Sequence, residues 1–158
     1  MTEKEKHIED EAHRKFAVMC FNQIWSLLEK ENRTKKEDQE MIHLAHASFY
    51  HWMQVGKPIN EQRGEWMLAR VYTVLKDKGH ALKHAKKCLK LTEEHRFRGF
   101  DLAYSNESMA RASALNNDSK NYEKYYAAAT STGELIEIKE DRDMFFQDLQ
   151  GEPWFGFK

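Results

Sequence analysis

Residues 65–91, EWMLARVYTVLKDKGHALKHAKKCLKL, decide the fold class. Leu68, Ala69, Tyr72 and Leu75 fall on one stripe, at steps of one, three and three residues. Asp77, Lys78 and Gly79 interrupt it, and Ala81, Leu82, Ala85, Cys88 and Leu89 take it up again. Both stripes keep the 3.6-residue period of a helix, and neither alternates as a strand would. The stretch predicts two amphipathic helices folded back on each other.

Outward from this hairpin the same period continues. A first helix is expected over about 5–31, with Ile8, Ala12, Phe16, Met19, Cys20, Gln23 and Leu27 on its buried side, widened by Ile24 and Leu28. After the polar run 30–37, Thr34 stands three residues before Glu37, the spacing of a capping box. The helix that follows, to about residue 54, is apolar nearly all round (Met41, Leu44, Ala45, Phe49, Trp52, Met53), which predicts a place between neighbours. Gly56 and Pro58 mark a turn. Further helices are expected over 60–76, 80–92, 97–115, 120–131 and 134–150, with a polar turn at 116–119 and a break at Gly133. Seven antiparallel helices joined by short loops make one all-α domain over 1–158, an α-solenoid of about three hairpins and a cap.

Composition agrees with a single domain: 158 residues with two prolines and seven glycines. The formal charge of -1 gives no general attraction to nucleic acid or anionic membrane. Charge is unevenly placed, with eight Lys/Arg against three acids over 76–98 and seven acids against two bases over 134–152. Lys83, Lys86, Lys87 and Lys90 could follow a phosphate backbone, but no aromatics interleave them, and nucleic acid is not expected. Cys20 and Cys88 sit far apart on apolar stripes, as buried free thiols of a reducing compartment do. No apolar run approaches the roughly 20 residues of a membrane span, and no signal-peptide pattern opens the chain, so the expected location is cytoplasmic.

The pattern Leu68-Ala69-x-x-Tyr72 followed by Ala81-x-x-x-Ala85-x-x-Cys88 resembles the tetratricopeptide repeat (TPR), a stacked helix–turn–helix unit. A 34-residue step carries Leu68-Ala69 to Leu102-Ala103. A 41-residue step carries Leu68-Ala69-Arg70 to Met109-Ala110-Arg111, as if the fifth helix were lengthened by two turns. Glu65 stands at the first Trp position, with Trp66 one place late, and Glu93 stands where the closing Pro would be. The resemblance covers about 62–131, leaving 133–158 as capping helix and tail, and implies a TPR-like right-handed superhelix. Three strings, HLAHASFYHW (43–52), RGEWMLARVY (63–72) and FDLAYSNESMAR (100–111), also resemble an uncharacterised bacterial family of small helical proteins, which implies a bacterial origin.

In TPR proteins the first helix of each hairpin lines a concave groove. Transferred to this chain, that arrangement implies Arg63, Trp66 and Arg70 on the third helix, and Phe97, Phe100, Tyr104, Glu107 and Arg111 on the fifth. Aromatics and arginines together make a recognition surface of large area, low entropy cost and forked donors. The competing reading places the aromatics in the core and pairs the arginines with Glu65, Asp101 or Glu107. The groove reading predicts that Trp66 and Tyr104 converge, and that Arg70→Glu with Arg111→Glu abolishes partner retention without loss of helicity.

The expected function is that of a non-catalytic binding or adaptor protein holding a peptide segment or a small acidic ligand, without a cofactor. A second reading is a metal-dependent enzyme or sensor built on His43, His46 and His51, since histidines three to five apart can share a metal. His80 and His84 read instead as part of a solvated basic face. A third reading is a structural oligomerisation module, such as a homodimer. In the tail, Trp154, Phe155 and Phe157 are too apolar to stay solvated at a free end. Trp154 and at least one of Phe155 and Phe157 should dock on the body, and deletion of 152–158 should cost about 2–4 kcal/mol.

Overall fold

Capping residues open most of the helices. Thr2 and Thr34 each accept a backbone N–H three residues on, while Glu5 and Glu37 reach back to the threonine N–H groups, starting α1 (Glu3–Leu28) and α2 (Lys35–Val55). Pro58 opens α3 (Pro58–Val74), where its fixed φ suits a first helical position. Asp77 and Asp118 cap α4 (Lys78–Glu94) and α6 (Ser119–Glu134), flanking α5 (Gly99–Leu115), and α7 (Lys139–Gln150) completes the set. The computed structural model describes residues 1–157, all-helical apart from turns, and among them no helix is long and apolar enough to cross a membrane.

The hairpin α3–α4 and the pair α5–α6 match at a 41-residue step. Pro58–Val74 maps onto Gly99–Leu115, and the start of α4 at Lys78 maps onto Ser119. The closing turns match as well. Lys76 and Asn117 have φ of 61° and 57°, and the next amides, of Asp77 and Asp118, donate back to the Tyr72 and Ser113 carbonyls, the six-to-one bond of a Schellman turn. Arg96, at φ 55°, closes α4 in the same way, with Phe97 N–H bonded to Thr92 O. Since α3 and α5 are both 17 residues long, α5 is not a lengthened copy of α3, and the 34-residue step aligns neither pair of ends.

Consecutive helices pack on each other through α6, and α3 and α7 also reach α5. Helix α5 is the enclosed element: every residue from Ala103 to Leu115 is buried. Its alanines and serines admit close neighbours on all sides. Helix α2 lies between α1 and α3, as expected of a helix apolar nearly all round, but Tyr50 and Met53 stay more than half exposed. The face of α1 is also rotated from expectation. Ala17, Cys20 and Ile24 are buried, whereas Ile8, Phe16 and Met19 are exposed. Ser48 on α2 sets that register by donating to Ala17 O at 2.8 Å.

Gly133 is not a break. It lies inside α6 beneath Phe145, whose ring a Cβ at this position would meet at 2.4 Å, and α7 begins only at Lys139. The aromatic tail docks. Trp154 is fully buried, donates from Nε1 to Leu149 O at 3.1 Å, and meets Tyr122 and Tyr126 edge-on. Both cysteines are buried, and burial pushes the Cys88 thiol up to about 12.

Candidate functional site

Alternate helices bring side chains to a cleft of about 730 Å³, within the range of ligand sites. Its back wall comes from α3 and α5. Residues 62, 63 and 66 lie on one face of α3, and 100, 101 and 104 on one face of α5, by the three-to-four-residue spacing of a helix. Trp66 meets Tyr104 edge-on with ring centroids 5.4 Å apart, and Phe100 lies 4.6 Å from Tyr104. Helix α1 adds Phe21 and Trp25, the latter 5.9 Å from Trp66, with Glu29 just past its end. The fourth side is α7, through Asp141, Met144, Gln147 and Asp148.

Of the aromatic residues expected at a groove, Trp66, Phe100 and Tyr104 are together at this cleft, whereas Phe97 lies outside its lining, stacked on His95. The arginines and Glu107 are placed differently. Arg63 lines the cleft, but its Nε and Nη2 donate to both carboxylate oxygens of Asp101 at 2.8 and 3.1 Å. Glu107, 1% exposed, lies behind the wall and accepts from Trp66 Nε1, Arg70 Nη1 and Arg111 Nε. Arg111 is equally buried. Its remaining N–H groups donate to the Asp148, Gly151 and Pro153 carbonyls, and its guanidinium lies 4.2 Å over the Trp154 ring. This is a clamp on the tail, not an anion site. Arg70→Glu with Arg111→Glu would put three carboxylates in the core and would test folding, not binding.

Electrostatics follow from this placement. Burial lowers the Arg70 guanidinium below its ordinary value, against the pull of Glu107. Tyr104 donates to Asp148 Oδ2, and burial, followed by that bond, holds its hydroxyl well above the usual phenol range. Glu29 and Asp141 have no ion pair or side-chain hydrogen bond among the described residues.

The histidines do not converge as expected. His51 shares a hydrogen bond with His13, the two Nδ1 atoms 2.8 Å apart, while His46 Nε2 bonds Tyr72 OH at 2.9 Å and His43 is exposed. Among the described residues no three metal-donor side chains are grouped to hold an ion. His84 is not on a solvated face: it is buried, stacks parallel to Tyr72 and bonds Glu65 at 2.6 Å. His80 is exposed and bonds Asp77 at 2.9 Å.

A second, smaller cavity of about 160 Å³ opens between α1, α2 and α3, beside Val18, Trp52 and Gly64. The contributions of α1 and α7 to the main cleft had no signal in the repeat pattern, which stops short of both. The spacing of Asp141, Met144 and Asp148 on one side of α7 was the readable clue. No protein-family model, curated protein or solved structure matches the chain.

Proposed function

We propose that the protein is a non-catalytic binding protein that holds a short peptide segment in the cleft between α1, α3, α5 and α7. The observation that carries this reading is the aromatic wall of Trp25, Trp66 and Phe100, backed by the buried Tyr104, which lines an open cleft. Such a wall offers a large rigid contact area at small entropy cost. The TPR-like superhelix is part of the proposal. It is supported by the 41-residue match of α3–α4 with α5–α6, and by odd-numbered helices sharing the cleft. The 41-residue unit is seven residues longer than the 34 of a TPR, so the likeness lies in the hairpin arrangement.

A photo-crosslinking residue at exposed Met144 tests this in living cells, with the same residue at Lys87 on the outer side of α4 as control. A discrete adduct at 144 that is absent at 87 supports the cleft. Equal labelling at both positions, or none at 144, removes it. Self-association is a second reading with its own observation. The N-terminal hairpin exposes Phe16, Val18, Met19, Tyr50 and Met53, the apolar surface a homodimer would cover. Light scattering of the wild type and of Val18→Lys with Met53→Lys decides it, since a dimer would become a monomer.

A further inference from the structure

Resting on the cleft reading, we infer that the occupant is basic: a segment whose lysine or arginine stem lies along Trp66, Phe100 and Tyr104, with its cationic head between Glu29 and Asp141. The charges around the cleft carry this. Asp101 is matched by Arg63 at the rim, behind the wall Arg70 and Arg111 share Glu107, and the Asp148 carboxylate, on the cleft's α7 side, accepts the Tyr104 hydroxyl. Glu29 and Asp141 are left over, one from each outer side of the cleft.

Nearby bases do not cancel them. Lys30 and Arg33, next to Glu29, are held by Glu37 and Asp38, and Lys139 is held by Asp143. Arg142 turns to the Ile136 carbonyl. An incoming carboxylate would find one guanidinium in the lining, Arg63, already held at two points by Asp101. An incoming ammonium or guanidinium meets two unengaged carboxylates and the faces of aromatic rings, which attract cations. The long aliphatic stem of lysine or arginine suits an apolar wall with a charged rim.

The test is selection of a random heptapeptide library on the intact protein, followed by titration of the enriched peptides. Location is read from the four tryptophan indole N–H signals in nitrogen-15 spectra. Cleft binding shifts those of Trp25 and Trp66 and spares Trp52 and Trp154. The inference expects cleft-bound peptides enriched in Lys and Arg, bound more weakly at high salt. Glu29→Gln and Asp141→Asn should each weaken binding about fivefold, the upper range for an exposed ion pair. Both positions make no side-chain bond in the free protein, so these variants keep the fold, as circular dichroism would verify. Peptides that shift Trp25 and Trp66 but are neutral or acidic would overturn the charge inference and leave the cleft standing. A selection yielding no peptide that moves those two signals would overturn both.

Discussion

Trp154→Ala tests whether the tail is part of the body. The indole is fully enclosed by Tyr122, Tyr126 and the Arg111 guanidinium and is anchored to Leu149 O. Removing a buried tryptophan costs about 3–5 kcal/mol. That exceeds the lower bound expected from sequence, because the ring is wholly covered, with a guanidinium stacked on it. A domain of this size holds on the order of 5–15 kcal/mol in total. With a melting shift of roughly 2–4 °C for each kcal/mol, Tm should fall by about 6–20 °C. Urea unfolding should show the same loss as a lower midpoint with an unchanged slope. Truncation after Gly151 should cost at least as much, since it also removes the Pro153 carbonyl from Arg111. A Tm loss below about 2 °C for Trp154→Ala, or a truncation milder than the single substitution, would refute the clamp.

Other outcomes follow from the same packing. Arg111→Met should destabilise by about 3–5 kcal/mol in urea, because it leaves the buried Glu107 charge short of a partner; a loss below about 1 kcal/mol would contradict that. Gly133→Ala should cost about 1–3 kcal/mol through its clash with Phe145, while Gly79→Ala within α4, where a Cβ meets only Asp77 Oδ1 at 4.0 Å, should gain about 0.4–1 kcal/mol. Opposite signs in paired melting curves check both. Cys88 should react with a thiol reagent far more slowly in native than in denatured protein, and rapid native labelling would mean that α4 is turned outward. His46 and His51 are held below their ordinary value of 6.5, chiefly by burial, so the unfolded chain binds protons first. Their contribution to stability is therefore complete above 6.5 and is lost as pH falls from there through their lower folded-state values, which Tm measured from pH 7.5 downward would show as a decline.

How far the sequence could be read depended on residue size and on where partners lay. The stripes of α3 and α4 were legible because each helix sets apolar residues at helical spacing against a polar back. Helix α5 carries Ala and Ser on every side, so no period betrays that it is the most enclosed element. Helix α1 misled by the reverse route: Phe16 and Met19 look like core, but α1 packs chiefly on α2, and Ser48 fixes a face two small residues wide. Trp66, Phe100 and Tyr104 were reached through the resemblance to a helical repeat, since spacing alone does not orient a stripe, whereas Trp25 and the roles of the arginines were not. A guanidinium four residues from Glu107 reads alike whether it meets a ligand or a tail, and the deciding carbonyls of Gly151 and Pro153 lie about 40 residues further on.

The enclosure of α5 also bears on how the molecule moves. Its amides are covered by α3, α4, α6 and α7, so they should exchange with solvent only when the domain opens as a whole, whereas the exposed first turns of α1 should exchange sooner. The cleft therefore has unequal walls. The Phe100–Tyr104 side stands on the most rigid element, and the α1 and α7 sides on helices with few neighbours. Occupants of different girth would be met by shifts of α1 and α7 against an aromatic face that stays still, and hydrogen exchange on binding should slow in those two helices before any other.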